Sequence, residues 1–192
     1  MYKQLRQQIN KIIDLTDEEF DYFTTFAKLK KLRRKELVLT EGEVCRHAYF
    51  VKTGCLRYFY TVQGEQHTGQ FFFESAWYAD YESFLSGQPS RQNIEALENT
   101  EIIMIPKTAL EKLYQEVPKF EKFGRLMAEK AFMGLRQRTE MITNQSPEER
   151  YLNLIKQRPK LIERIPQHYI ASYLGVKPQS LSRIRKRIIQ NP

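Results

Sequence analysis

The chain of 192 residues contains few cysteines and no long apolar run. Its two cysteines, Cys45 and Cys55, are too few for a disulfide scaffold or for an iron–sulfur cluster held by four thiolates, and we expect them to be half-buried strand thiols. No segment approaches the roughly 18 apolar residues that favour a membrane-spanning helix, and the N-terminus lacks the apolar core of a signal peptide. We therefore predict a cytoplasmic protein with no part in a membrane.

Side chains suited to metal binding or catalysis are also scarce. The three histidines, His47, His67 and His168, are scattered, and none has a second ligand at the spacing typical of metal sites. The sequence contains neither a Ser/His/Asp pattern nor a phosphate-binding P-loop. These absences favour a protein that is not an enzyme and that holds no metal ion.

Positive charge is abundant, but it is confined to one end of the chain. The net charge is +8. From residue 150 to residue 192, ten Lys and Arg residues stand against one acidic residue, so this segment carries +9 and the rest of the chain −1. Because no stripe of Trp, Phe and Leu accompanies the charge, nucleic acid is a better match for this end than a membrane surface.

Short runs of aromatic and β-branched residues, separated by glycines, fill the chain between residues 28 and 105. This spacing predicts short antiparallel strands in a sandwich or barrel. Before them, helical periodicity and the capping box Thr16-Asp-Glu-Glu19 predict a helical lead-in. The predicted strands are 48–51, 55–60, 69–73, 93–97 and 101–105.

The C-terminal stretch 165–189 has the pattern of two short helices that meet at Gly175. A glycine tolerates the positive φ of a turn just past a helix end, and Pro178 is suited to the first position of the next helix. In that second helix Leu181 and Ile184 share one face, whereas polar and basic side chains share the other. This arrangement is typical of a helix-turn-helix.

The polar face of the second helix has side chains that suit DNA. Arg and Gln match the edges of guanine and adenine in the major groove, and Ser, Lys and further Arg suit phosphate oxygens. Gln179 and Arg183 lie near the helix start, where recognition helices meet base edges, whereas Arg187 lies nearer the backbone. A solvated basic surface is the alternative. The predicted DNA-binding residues are Lys177, Gln179, Ser180, Arg183, Lys186 and Arg187.

One long helix is predicted from about Lys119 to Asn144, where no strand or loop signal interrupts the helical period. Its apolar residues recur at roughly heptad spacing, which is typical of a helix that packs against a twin. A helix that packs only within its own domain is the alternative. We favour a dimer helix, because a small DNA-binding module gains affinity when two copies bind two half-sites. The predicted seam residues are Phe123, Met127, Ala131 and Gly134.

Together these features resemble the Crp/Fnr family of bacterial transcription regulators, and the resemblance covers nearly the whole chain. In this family a β-roll similar to a cyclic-nucleotide-binding domain precedes a long helix and a helix-turn-helix. The matching pieces of the β-roll are Glu41-Gly42, Tyr49-Phe-Val-Lys-Thr-Gly54 and Leu56-Arg57. Those of the helix-turn-helix are Ile170-Ala171, Leu174-Gly175-Val176 and Gln179-Ser180-Leu181-Ser182-Arg183-Ile184.

The resemblance implies an α+β fold in three parts. These are an N-terminal antiparallel, jelly-roll-like β-roll sensor domain (1–117), a long dimerisation helix (118–145) and a small C-terminal helix-turn-helix domain (146–192). It also implies two partners. These are double-stranded DNA that carries an inverted repeat, and a second copy of the chain. RNA polymerase and an unknown small-molecule effector are further candidates.

The cyclic-nucleotide site of the family is poorly matched. Members that bind cyclic AMP carry a Gly-Glu pair for the ribose and, further on, an Arg-Ser pair whose arginine neutralises the phosphate. Here Ala79-Asp80 and Ser90-Arg91 stand at those positions, so the arginine is displaced by one place. Such a shift along a strand turns the side chain to the opposite face. We expect no cyclic-nucleotide cofactor, and we place a candidate effector pocket at Ala79, Asp80, Tyr81, Ser90 and Arg91.

Two functions remain open at this point. The first is a homodimeric, sequence-specific transcription regulator whose sensor domain does not respond to cyclic AMP. The alternative is a β-roll that binds a ligand or protein, with a basic tail that binds nucleic acid non-specifically. The aromatic stretch 71–81 is expected to lie mostly in the core, with a hydrophobic ligand pocket as its alternative. The sequence ends at Pro192, before the β-wing usual in the family, so phosphate contacts from a wing are not expected.

Overall fold

A helical lead-in, a strand-rich middle and a helical C-terminus follow one another along the chain. The computed structural model describes residues 2–190. Its elements, in chain order, are α1 (Lys3–Asn10), α2 (Asp17–Thr24), β1 (Lys28–Leu32), β2 (Leu37–Leu39), β3 (His47–Thr53), β4 (Leu56–Val62), β5 (Glu65–Phe72), β6 (Trp77–Tyr78), α3 (Tyr81–Ser86), β7 (Asn93–Ala96), β8 (Thr100–Pro106), α4 (Lys107–Glu116), α5 (Lys119–Asn144), α6 (Pro147–Gln157), α7 (Pro159–Arg164), α8 (Gln167–Tyr173) and α9 (Pro178–Gln190).

The strands form two four-stranded sheets, in the orders β1–β8–β3–β6 and β2–β7–β4–β5. Strand β8 lies between β1 and β3 and pairs antiparallel with both, and Phe50 of β3 is opposite Ile103 of β8. Both side chains are buried in the hydrophobic core. The predicted α+β fold with an antiparallel β-roll is thereby confirmed.

The helices begin where the capping signals predict. In α2 the Glu19 amide donates to Thr16 Oγ1 at 3.2 Å, and the Thr16 amide donates to the Glu19 carboxylate at 2.8 Å. A second capping box, between Ser146 and Glu149, starts α6. Helix α5 has the predicted bounds. Within the described range 2–190, none of the helices is both long and apolar enough to cross a bilayer.

Strands β4 and β5 form a hairpin that is longer than the sequence predicts. The prediction starts the second strand at Gly69, whereas β5 begins at Glu65. Residues 65–68 are Glu, Gln, His and Thr, which give no apolar alternation. The strand extends because Gln63 and Gly64 both have positive φ, 51° and 79°, the geometry of a two-residue hairpin turn.

The contacts within the chain define two compact units. The first comprises Met1–Tyr58 and Phe71–Ala131, and the second comprises Phe59–Gln70 and Phe132–Pro192. The tip of the β4–β5 hairpin therefore groups with the C-terminal helices, which the sequence does not indicate. The predicted domain boundaries after residues 117 and 145 lie just beyond the ends of α4 and α5, and they stay predictions.

Gly54, in the tight connection from β3 to β4, has no room for a side chain. Its φ is +89°, and a Cβ there would meet Thr100 Oγ1 and lie 2.8 Å from Thr100 Cα. We expect Gly54→Ala to lower the free energy of unfolding by about 2–5 kcal/mol, from the unfavourable φ and the steric overlap together.

Gly64→Ala is the matched control, because φ is +79° there but no atom lies within 4 Å of the added Cβ. This variant should lose only about 1–2 kcal/mol, the cost of positive φ for an L-residue. Urea unfolding of both proteins measures the difference. Equal losses would show that the contact with Thr100 relaxes without cost.

Candidate nucleic-acid interface and effector site

Helices α8 and α9 meet at a turn that requires a residue with a left-handed backbone conformation. Gly175 has φ of +69°. Its amide donates to the Ser172 carbonyl at 3.1 Å, and the Val176 amide donates to the Ala171 carbonyl at 3.0 Å. These two bonds form a Schellman motif, which satisfies the last carbonyls of α8 and ends the helix.

Helix α9 has one buried face and one exposed face. Leu181 and Ile184 are 1% and 7% exposed and pack inward. The predicted DNA-binding residues all lie on the exposed side: Lys177, Gln179, Ser180, Arg183, Lys186 and Arg187. The periodicity that separates the two faces is that of an ordinary amphipathic helix, so the sequence sufficed to assign them.

Two of these six side chains are held by carboxylates of the same unit. Lys177 Nζ lies 2.8 and 2.9 Å from the two carboxylate oxygens of Glu65, at the start of β5. Arg187 Nη1 donates to Glu148 of α6 at 2.9 Å. The hydrogen bond from Lys177 holds the pKa of the Glu65 carboxyl below its ordinary value. The positive charges of Lys177 and Arg187 are therefore partly offset within the second unit.

The tip of the β4–β5 hairpin contacts α8 through hydrogen bonds that sequence reasoning missed. The Thr68 amide donates to Ser172 Oγ at 2.8 Å, and the Ser172 hydroxyl donates to the Gln66 carbonyl at 2.9 Å. Arg158, before α7, donates to the Gln70 side chain. About a hundred residues separate the serine from its partners, and no local pattern marks such a pair.

The nucleotide-site positions form a closed network of their own. Asp80 and Ser90 are 2% and 3% exposed. Ser90 Oγ donates to Asp80 Oδ2 at 2.6 Å, and Gln92 Nε2 donates to Asp80 Oδ1 at 3.2 Å. Tyr78 donates to the other end of the Gln92 amide. Both carboxylate oxygens of Asp80 are therefore engaged by neighbouring side chains.

The other predicted pocket residues, Ala79, Tyr81 and Arg91, add no positive charge to this network. The side chain of Arg91 is 79% exposed and lies 3.7 Å from Glu82 on the surface. Ala79 is buried, and burial raises the pKa of the half-buried Tyr81 to about 12, so that its phenol stays neutral. The structure thus brings Asp80 and Ser90 together but leaves Arg91 outside.

Of the predicted dimer seam on α5, Phe123 and Met127 pack on the core of their own unit. Phe123 is only 4% exposed in the single chain, because its ring packs edge-on against Trp77 with the centroids 5.5 Å apart. Met127 is half-buried against the same core, Ala131 is half-buried and Gly134 is exposed. The first turns of α5 therefore bury predicted seam residues in the core of their own unit. Heptad spacing alone does not distinguish such packing from packing against a second helix.

A different stripe of α5 is apolar and exposed. Phe132, Leu135 and Ile142 are 63%, 61% and 40% exposed. At about 100° per residue they lie within an arc of roughly 80° on the helix, with Ala128 on the same side. Exposed apolar side chains aligned along one helix are typical of an interaction surface.

Comparison with known proteins places this fold. Residues 29–117 match the cyclic nucleotide-binding domain family. The chain is similar to FixK2 from Bradyrhizobium japonicum, with a TM-score of 0.75 and 19% identity over 85% of each chain. No curated protein sequence matches it.

Two further solved structures share the fold. A protein from Eubacterium rectale, assigned to the Crp/Fnr family, has a TM-score of 0.72 and 16% identity over 92% of this chain and 85% of that one. The c-di-GMP-responsive global regulator CLP of Xanthomonas campestris has a TM-score of 0.69 and 13% identity over 92% and 93%. The chain therefore has the fold of the Crp/Fnr regulators, built on a cyclic nucleotide-binding domain, and the predicted resemblance is confirmed at the level of the fold.

The Glu65–Lys177 pair gives a testable consequence for DNA binding. Glu65→Gln should release the Lys177 ammonium for a phosphate contact, because the neutral amide attracts it less. We expect tighter binding to duplex DNA at low salt and a dependence of log K on log salt that is steeper by up to about one unit. Fluorescence anisotropy at several salt concentrations measures both quantities.

Glu82→Gln is the matched control, since Glu82 is an exposed carboxylate that pairs with Arg91 in the other unit. It changes the net charge by the same amount. If the two variants shift the salt dependence equally, the effect is one of net charge and Lys177 makes no phosphate contact.

Proposed function

We propose that the protein is a homodimeric, sequence-specific DNA-binding transcription regulator of the Crp/Fnr type. The observation that carries this proposal is α9, whose apolar face is buried while Gln179, Arg183 and Lys186 are exposed on the other side. Within residues 2–190, Arg183 and Lys186 make no ion pair, so their charges are available to a polyanion. The concentration of positive charge in the last 43 residues supports the same partner.

A dimer is supported by the exposed apolar residues of α5 and by the small size of the helix-turn-helix. One recognition helix contacts only a few base pairs, and a two-fold pair doubles the contact with an inverted repeat. The stripe of Phe132, Leu135 and Ile142 offers an apolar surface for a second copy. RNA polymerase and chromosomal DNA as partners, and a cytoplasmic location, follow from this function and are part of the proposal.

A sensor domain that does not respond to cyclic AMP is part of the same proposal. Each carboxylate oxygen of Asp80 accepts a hydrogen bond, from Ser90 or from Gln92, and the displaced Arg91 is on the surface. A buried phosphate without a positive partner is strongly disfavoured. The second candidate is a binding module whose basic tail contacts nucleic acid without sequence preference. Unlike the regulator, it would bind all duplexes with similar affinity.

Arg183→Ala tests the reading role of α9. If Arg183 makes a bidentate contact with one base, as we propose, its loss should cost about 1–3 kcal/mol on the preferred site and relax the preference at one base pair per half-site. Selection from random duplexes, followed by competition binding, measures both effects. The selected site should be an inverted repeat with half-sites roughly 34 Å apart, centre to centre.

Arg187→Ala is the control on the same helix, one turn later. It should weaken all sequences alike and lower the salt slope by about one. Uniform affinity of the unmodified protein for every duplex would favour the non-specific module instead. An Arg183→Ala protein with unchanged base preference would show that α9 is not the reading helix.

Leu135→Glu tests the dimer surface. A carboxylate buried between two helices without a partner is costly, so this variant should be a folded monomer at concentrations where the unmodified protein is a dimer. Met133→Glu is the matched control: Met133 is 56% exposed but lies about 160° away around α5. It should remain a dimer in light scattering. A dimeric Leu135→Glu protein would refute this surface.

A further inference from the structure

The apolar stripe of α5 and the reading helix α9 lie in the same compact unit. The second unit includes Phe132–Pro192, and therefore the last turns of α5 together with α8 and α9. In a two-fold dimer that pairs through α5, the distance between the two reading helices depends on how each α9 is held relative to α5. The contacts between α5 and the helix-turn-helix therefore bear on the choice of operator.

Arg138 joins α5 to the end of α8. Its Nη2 donates to the Tyr173 carbonyl, and its Cζ lies 4.0 Å from the centroid of the Tyr173 ring. Tyr173 is the last residue of α8 and is 5% exposed. The last carbonyls of a helix lack partners within the helix, and a cation beside them interacts favourably with the helix dipole. Arg138 is accordingly half-buried, whereas residues 132–137 before it are exposed.

Ile142 lies beside the turn between α8 and α9. A Cβ built on Gly175 would be 3.7 Å from Ile142 Cδ1, an ordinary van der Waals distance. Ile142 follows Arg138 by four residues, so the two side chains are neighbours on the surface of α5. The last turns of α5 thus contact both the end of α8 and the turn that precedes α9.

A second arginine braces the corner between α5 and α6. Arg150 of α6 is 7% exposed, and its Nη1 donates to the Ile142 carbonyl in the last turn of α5 at 3.2 Å. Asn153 Nδ2 donates to the Gln145 side chain, just after α5, also at 3.2 Å. Because a buried guanidinium is costly to leave without its acceptor, these bonds oppose a change of angle at this corner.

We infer that Arg138 is a positioning residue, which sets the spacing between half-sites that the protein accepts. It joins α5 to α8 and so fixes the direction in which α9 projects from the dimer helix, while α9 makes the base contacts. The inference rests on the proposed function, because a spacing has meaning only for a dimer on an inverted repeat. It adds that the spacing is set by contacts within each chain.

A change of spacer is a severe test of this arrangement. One added base pair moves the half-sites apart by about 3.4 Å and rotates one against the other by about 35°. A helix-turn-helix held firmly on α5 cannot follow this change, whereas a loosely held one can. The unmodified protein should therefore lose at least about tenfold in affinity when the spacer is one base pair too long or too short, a loss similar to that of a mismatched base pair.

The experiment measures binding of the full chain to duplexes with the selected half-sites and with the preferred, a shorter or a longer spacer. Arg138→Gln should bind the preferred spacer about 3- to 10-fold more weakly, the range that one hydrogen bond contributes. Its penalty for a wrong spacer should fall to about threefold or less, because α9 can then adjust. The half-site sequence that it selects should not change, since α9 itself is intact.

Arg136→Gln is the matched control, the same substitution at an exposed position of the same helix. At about 100° per residue, Arg136 and Arg138 lie on opposite sides of the stripe, each about 40° from its nearest member. Arg136→Gln should keep the full spacer penalty. Arg138→Lys loses the planar group that stacks on Tyr173 but keeps the charge, so it should lower the penalty by a smaller factor. It decides the question if Arg138→Gln does not fold.

Three results would overturn the inference. They are equal binding of all spacers by the unmodified protein, an Arg138→Gln protein that is weakened by the same factor on every spacer, and equal effects of Arg138→Gln and Arg136→Gln. An inverted repeat is still selected in each case, so the role of Arg138 would fail alone and the regulator would stand. Selection that recovers no inverted repeat would refute the regulator, and this inference with it.

Discussion

The first turns of α5 are held within the first unit by packed aromatic rings. Phe120 stacks on Phe23 of α2 at 5.1 Å, and Phe123 packs edge-on against Trp77 of β6. Burial of these rings fixes the rotation of the helix about its own axis.

This packing occupies part of the seam that heptad spacing predicts on α5. A strict heptad seam follows one face along the whole helix, but here that face is occupied by the chain's own core for the first turns. Phe132 and Leu135 lie on another face and stay exposed. The same packing leaves α5 at Gly124 directly against the Tyr114 ring.

The features that the sequence predicts well are those with local physical causes. Capping boxes at Thr16 and Ser146, the turn at Gly175 and the two faces of α9 all depend on residues within a few positions of one another. The extension of β5 to Glu65 and the bonds of Ser172 depend on partners far away in the chain. The alternation rule places Arg91 outside the nucleotide site, yet it gives no indication that Gln92 would bind Asp80.

The closed network around Asp80 has a consequence for how a signal could enter the sensor domain. A glutamate that binds a ribose needs free acceptor oxygens, but the shorter Asp80 side chain has both oxygens engaged by Ser90 and Gln92. A polar ligand would have to replace these internal bonds at little net gain, since each exchange substitutes one hydrogen bond for another. The energetic balance therefore disfavours a polar ligand at Asp80 and Ser90.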